Sequence, residues 1–172
     1  DVDAIFALVS DRTRLVVIAS PNNPCGTYLP REELYRLHSG LPQAAILLID
    51  AAYADYVVAP DYDAGFDLAR RFQNVIVTRT FSKLYGLAGM RIGWAYGSEG
   101  IISTLDRVRT PFNCNSAAMA AATAAVRDAA HATMVRDHNL HWLAKLTDGC
   151  RALGLEVVPS VANFILIRFP DG

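Results

Sequence analysis

Three short apolar runs, each followed directly by polar residues, constrain the fold of this chain more than any other feature. They lie at residues 14–20, 44–50 and 74–80. The first is nearly continuous in apolar residues, which is typical of a strand buried on both faces of a parallel sheet. The second and third also have the length and apolar character of buried strands. Segments with helical patterns separate the three runs, so the sequence predicts an α/β fold with a largely parallel sheet.

The remaining elements follow from periodicity and from turn residues. We predict helices over residues 1–10, 30–40, 61–72, 117–126 and 131–153, and further strands over 90–96, 155–158 and 163–169. The helix over 131–153 and the strands over 155–158 and 163–169 belong to a second unit that the chain does not complete. We therefore divide the chain into part of a large domain, residues 1–112, and an interdomain helix with the beginning of a small α+β domain, residues 113–172. The chain opens inside a helix and stops after a strand, so we expect a piece of a longer protein.

Polar side chains follow each of the three apolar runs. Asn22 and Asn23 follow the first, Asp50 and Tyr53 the second, and residues 80–83 the third. Ligands of open α/β sheets bind beyond the carboxyl ends of the strands. If the three strands are parallel neighbours, these groups meet in one cleft.

The chemistry of this predicted cleft centres on Lys83. Burial disfavours a charged amine, and a neutral amine attacks aldehydes to form a Schiff base. The hydroxyls of Thr80 and Ser82, with the guanidinium of Arg91, offer hydrogen bonds and charge for a phosphate. Asp50 ends an apolar strand and needs a cationic partner there, a role that a protonated pyridine nitrogen would fill. An aldehyde, a pyridine nitrogen and a phosphate together describe pyridoxal 5'-phosphate.

Each of these residues also has a purely structural interpretation. Lys83 would then be a solvated loop lysine, and Asp50 a helix cap or a salt-bridge partner. Tyr53 would be a core tyrosine, and Asn23 a turn residue before proline. In the functional interpretation, Tyr53 and Asn23 hydrogen-bond the phenolate oxygen of the cofactor ring.

Four motifs carry a resemblance to a known family. They are Ser-Pro-Asn-Asn-Pro-Cys-Gly-Thr at 20–27, Asp-Ala-Ala-Tyr at 50–53, Ser-Lys-Leu-Tyr-Gly-Leu-Ala-Gly-Met-Arg-Ile-Gly at 82–93 and Arg-Thr-Pro-Phe-Asn-Cys-Asn at 109–115. In this order they resemble fold-type I, class I/II aminotransferases that depend on pyridoxal 5'-phosphate, and most of all the histidinol-phosphate aminotransferases. Two positions depart from the family pattern, because Cys25 replaces the usual Thr and Ala51 the usual Glu. Neither change removes a cofactor contact.

The resemblance implies a three-layer α/β/α large domain and a role for each candidate residue. Lys83 would be the Schiff-base lysine and the general base and acid, and Asp50 would pair with the pyridine nitrogen. Asn23 and Tyr53 would contact the ring hydroxyl. Thr80, Ser82 and Arg91 would bind the cofactor phosphate.

The resemblance further implies amino transfer between L-histidinol phosphate and 2-oxoglutarate in histidine biosynthesis, by a homodimer to whose interface residues 107–115 contribute. Two groups of alternatives remain open. One is another class I/II enzyme, either an aminotransferase for aromatic or branched amino acids or a phospho-amino-acid decarboxylase. The other is an inactive fragment or a binding module that keeps the fold.

The composition limits the kinds of partner that the chain is expected to bind. A net charge of −1 over 172 residues gives no electrostatic case for nucleic acid or an anionic membrane, and neither a membrane span nor a signal peptide is evident. Cys25, Cys114 and Cys150 form neither a metal motif nor a disulfide framework. We therefore expect a cytoplasmic protein; small molecules and a second copy of the chain are the partners that the resemblance implies.

Overall fold

A computed structural model describes residues 1–170 of the chain. Its main sheet has four neighbouring strands in the order in which the chain forms them. The first three are parallel, and the fourth is antiparallel to the third. The expected α/β class with a mostly parallel sheet is confirmed. The strands are β1 Leu15–Ala19, β2 Ile46–Asp50, β3 Val75–Thr80 and β4 Gly93–Gly97.

Six helices and a two-stranded antiparallel sheet complete the described part. The helices are α1 Val2–Phe6, α2 Arg31–Gly40, α3 Phe66–Arg71, α4 Glu99–Val108, α5 Ser116–Arg127 and α6 Ala129–Ala152, and the small sheet pairs β5 Glu156–Val158 with β6 Leu166–Arg168. Short 3-10 turns lie at Ala54–Tyr56 and Ala88–Met90. Asn115 caps α5 by accepting from the Ala118 N–H at 2.8 Å.

The core lies between one face of the main sheet and helices α1 to α3. Leu34 and Leu37 of α2 and Leu68 of α3 are almost fully buried. They pack against side chains that alternate along the strands, Leu47, Ile49, Val75 and Val77. Because β1, β2 and β3 pair in parallel, their carboxyl ends lie at one edge of the sheet.

The opposite face of β1 is not buried. Leu15 and Val17 are 55% and 59% exposed, whereas Val16 and Ile18 pack against the core. The expectation that β1 is buried on both faces is therefore wrong for this chain. Alternate side chains of a strand point to opposite faces, and the outward face of β1 is left largely uncovered by residues 1–170.

The segment after β3 also differs from expectation. The predicted strand from residue 90 begins only at Gly93, because Ala88–Met90 forms a 3-10 turn and Arg91 has a left-handed backbone with φ 52°. Helix α4 was not predicted, since Gly97 and Gly100 made its first turn look like a loop. Helices α1 and α3 are shorter than the predicted 1–10 and 61–72.

The second unit packs against the first through the connection between β5 and β6. Ala162 is fully buried in a cluster with Tyr53, Tyr56 and Leu84, and Phe164 packs against the same cluster. The division of the chain after residue 112 stays a prediction.

Candidate active site

The carboxyl ends of β1, β2 and β3 meet at one edge of the sheet, as the sequence predicted. Ala19, Asp50 and Thr78 lie side by side in register. The Ser20 N–H donates to the Asp50 carbonyl, and the Ala51 N–H to the Thr78 carbonyl, both at 3.0 Å. These backbone bonds hold the segments that leave the three strands against one another.

Asp50 is the carboxylate of this edge. Its side chain is partly buried, and one oxygen, Oδ1, accepts from the Ala52 N–H at 3.1 Å. Among residues 1–170 no cation forms a salt bridge with it. The carboxylate is therefore available to pair with a cationic group of a ligand.

Tyr53 joins the first two strand ends. It is 7% exposed, and its hydroxyl oxygen accepts from the Asn23 side-chain amide at 3.0 Å. Because the amide donates, the hydroxyl keeps its own proton for donation to a ligand. Phe164 of the second unit packs edge-on against the Tyr53 ring, with centroids 5.2 Å apart. Tyr53 is thus held from two sides.

Lys83 lies over the same ring. Its Nζ is 5.2 Å from the Tyr53 centroid, and its side chain is partly buried. The loop around it is anchored by the buried side chains of Phe81 and Leu84. Inside the loop, the Ser82 N–H donates to Thr80 Oγ1 at 3.1 Å. The amine therefore reaches the cleft from a fixed loop.

The side chain of Arg91 forms its hydrogen bond within its own loop. It is exposed, and its Nη1 donates to the Ala88 carbonyl of its own loop at 2.7 Å. Among residues 1–170 no hydrogen bond or ion pair joins it to the other six candidates. The structure thus brings Asn23, Tyr53 and Lys83 into contact, places Asp50 beside them and pairs Thr80 with Ser82.

The loop that carries Asn23 is fixed by buried polar groups. The Tyr62 hydroxyl donates to the Ser20 carbonyl at 2.8 Å, and Ser20 Oγ accepts from the Leu29 N–H at 3.0 Å. Burial raises the pKa of Tyr62, so this hydroxyl keeps its proton well into the alkaline range. Gly26 closes the loop with φ 76°, a region that favours glycine.

The sequence reasoning missed two charged residues beside this site. Arg79 of β3 and Asp55 of the turn after Tyr53 form an ion pair, with side chains 12% and 21% exposed. The charge of Arg79 inside an apolar run was a signal that could have indicated this ion pair, because a buried arginine needs a partner. Its partner lies 24 positions away and could not be read from the sequence.

Other kinds of site find little support. Within the described range, no three His, Cys, Asp or Glu side chains are grouped so that they would hold a metal ion. None of the helices in residues 1–170 combines the length and hydrophobicity that crossing a bilayer requires. The chemistry offered at the sheet edge is an amine, a carboxylate, a phenol and an amide.

The chain is similar to known proteins in sequence and in fold. The family model for aminotransferase class I and II matches residues 1–172. The chain is 54% identical over 171 residues to the histidinol-phosphate aminotransferase of Maricaulis maris and 49% identical to that of Rhodopseudomonas palustris. In both cases the match covers 99% of this chain and 47% of the relative, so the chain spans about half the length of these relatives.

A solved structure has a similar fold. The histidinol-phosphate aminotransferase of Sinorhizobium meliloti, determined in complex with pyridoxal-5'-phosphate, superposes with a TM-score of 0.91 at 31% identity. The superposition covers 97% of this chain and 45% of that protein.

Proposed function

Because the chain belongs to the class I and II aminotransferase family, we propose that it is the central part of an enzyme that uses pyridoxal 5'-phosphate, with Lys83 as the residue that binds the cofactor covalently. The observation that carries this proposal is the meeting of Lys83, Tyr53 and Asn23 beside Asp50 at the carboxyl edge of the sheet. The cofactor would supply an electron-poor ring that takes up negative charge from the substrate.

The residues of this chain would have distinct tasks. Lys83 Nζ would hold the cofactor through its aldehyde carbon and, once released by the substrate amine, carry the proton to and from the substrate's Cα. Asp50 would pair with the protonated ring nitrogen. The Tyr53 hydroxyl and the second N–H of the Asn23 amide would donate to the ring oxygen, since the first N–H is used between them.

The phosphate contacts follow from the loop between β3 and β4. Thr80 and Ser82 each carry a hydroxyl that can donate to an anion, since Thr80 Oγ1 accepts from the Ser82 N–H and so keeps its own proton for donation. Arg91 would add charge only if its guanidinium left the Ala88 carbonyl. We therefore assign Thr80 and Ser82 to the phosphate, and Arg91 to the same group after a change of rotamer.

The reaction we propose is amino transfer between L-histidinol phosphate and 2-oxoglutarate. Its support is the name shared by the two relatives at 54% and 49% identity and by the Sinorhizobium enzyme. We further propose a homodimer with residues 107–115 near the interface, and a cytoplasmic location. The three cysteines, all free in the structure, are consistent with a reducing compartment.

Covalent labelling tests this proposal. The full-length protein is loaded with pyridoxal 5'-phosphate, reduced with borohydride and digested, and the modified peptide is identified by mass spectrometry. We expect the label on Lys83. Lys145 is the control, because it is exposed on α6 with its Nζ 4.6 Å from the Trp142 ring centroid. A label on Lys145 alone, or no specific label, would contradict the proposal.

A further inference from the structure

An ion pair behind the candidate site joins the two segments that carry Tyr53 and Lys83. Arg79 lies on β3, between Thr78, which is in register with Asp50, and Thr80, which caps the Ser82 N–H. Asp55 lies in the 3-10 turn Ala54–Tyr56, which begins directly after Tyr53. The pair thus bridges the turn after β2 and the strand that leads to the lysine.

The surroundings of Arg79 hold its guanidinium in one place. Its central carbon is 5.7 Å from the ring centroids of both Phe66 and Trp94, and those two rings are stacked at 15° to each other. Trp94 lies directly opposite Arg79 on β4. Arg79 Nε is buried without a hydrogen-bond partner, and Asp55 is the one group in residues 1–170 to which the guanidinium donates. The position of Asp55 is therefore set by an arginine that lies against two aromatic rings.

The pair does not face the cofactor position itself. Side chains alternate along β3, so Arg79 shares its face with the core residues Val75 and Val77, while Thr78 and Thr80 point to the other face. Any influence on the site must pass through the backbone of the turn. That turn is short, with the Ala54 N–H donating to the Ala51 carbonyl at 3.1 Å and the Tyr56 N–H to the Tyr53 carbonyl at 3.1 Å.

We infer that Arg79 and Asp55 are positioning residues, which fix the Tyr53 hydroxyl relative to Lys83 by holding the turn after β2 against β3. This inference rests on the proposed function for its catalytic meaning. The neighbourhood supports it, because Tyr62, which anchors the Asn23 loop at Ser20, is close enough for the charges of both Arg79 and Asp55 to act on its hydroxyl. One pair thus adjoins both segments that hold the Tyr53 hydroxyl.

The first experiment needs no cofactor. Amide hydrogen exchange is measured in the cofactor-free full-length protein for Arg79→Lys and Asp55→Asn, with Arg168→Lys as the matched control. Arg168 forms its own ion pair with Glu156 at 3.1 Å, between β6 and β5. We expect the Ala54 and Tyr56 amides to exchange about tenfold faster in the first two variants and at the wild-type rate in the control. Unchanged exchange in Arg79→Lys and Asp55→Asn would overturn the inference whether or not the protein binds a cofactor.

The second experiment separates positioning from general stability. The full-length protein is loaded with pyridoxal 5'-phosphate, and its visible absorbance is followed as the pH is changed. The pH at the midpoint of this absorbance change is measured for Arg79→Lys, Tyr53→Phe and the double variant. Lysine keeps the charge but loses the planar fork of donors. We expect Arg79→Lys to shift the midpoint in the same direction as Tyr53→Phe, and to add nothing in the Tyr53→Phe background. A lower melting temperature with an unchanged midpoint, or a shift that adds to that of Tyr53→Phe, would show that the pair acts in another way.

Discussion

Replacing Gly26 by alanine should be unusually costly, because two independent penalties meet at this position. Its φ of 76° lies in the left-handed region, which costs an alanine about 1–2 kcal/mol. In addition, a Cβ on Gly26 would overlap Ser160 Oγ and lie 2.5 Å from Ser160 Cβ. Ser160 therefore has to move.

The second penalty can be worked out from the bonds that Ser160 would lose. Its Oγ donates to the Phe164 carbonyl at 2.7 Å and accepts from the Ala162 N–H at 3.1 Å. Each such bond contributes roughly 0.5–1.5 kcal/mol. The total expected loss in unfolding free energy is about 2–5 kcal/mol. Gly154 is a matched control, since its φ is 78° and nothing lies within 4 Å of an added Cβ. Gly154→Ala should cost about 1–2 kcal/mol.

Urea unfolding of the full-length variants measures these differences in unfolding free energy. Hydrogen exchange of the Val161 amide, which donates to the Gly26 carbonyl at 2.9 Å, measures local opening beside the substitution. The double variant Gly26→Ala with Ser160→Gly completes the cycle. Once Ser160 has lost its side chain, the alanine should no longer cost the two hydrogen bonds, so most of the excess over the backbone penalty should disappear, even though Ser160 Cα still lies 3.0 Å from the added Cβ. Equal losses for Gly26→Ala and Gly154→Ala, or a Gly26→Ala cost that is unchanged in the Ser160→Gly background, would refute the reasoning.

Two further predictions concern substrate and pH. In the full-length protein, we expect kcat/KM for L-histidinol phosphate to exceed that for phenylalanine or leucine by about tenfold or more, each measured with 2-oxoglutarate. A hundredfold preference for phenylalanine, which corresponds to about 2.7 kcal/mol in transition-state binding, would assign the protein to the aromatic aminotransferases instead. Burial raises the pKa of Tyr62 above its ordinary value near 10.0, so the folded protein keeps a proton that the unfolded chain loses. This contribution is complete below pH 10 and is lost as the pH rises further, so the stability advantage of wild type over Tyr62→Phe should shrink above pH 10. An advantage that stays constant to the alkaline limit of folding would contradict this.

The parts of the fold that the sequence predicted have local signals. Strands β1 to β3 are apolar runs that end in polar residues, and parallel pairing of neighbours follows from the helices between them. The same rule predicts that Asn23, Tyr53 and Lys83 lie at one edge, where the structure brings them together. Residue types and order were sufficient there.

The parts that were missed either depart from a local rule or depend on contacts between distant residues. The start of β4 depends on the left-handed backbone of Arg91, a conformation that a non-glycine residue rarely adopts. Helix α4 has glycine in its first turn, which local rules interpret as a loop. The Arg79–Asp55 pair joins a strand to a turn 24 residues earlier, and the exposure of Leu15 depends on what does or does not pack on β1. These last two features are not determined by neighbours in the sequence.

The uncovered face of β1 has a consequence for handling these 172 residues as an isolated polypeptide. Within residues 1–170, β1 pairs only with β2, so its outer edge presents free backbone donors and acceptors next to the exposed side chains of Leu15 and Val17. Such an edge is a template for pairing with another chain. Preparations of the isolated polypeptide should therefore form concentration-dependent aggregates with increased β-structure. The substitution Val17→Lys adds a charge beside that edge and leaves the buried face unchanged, so it should suppress this aggregation.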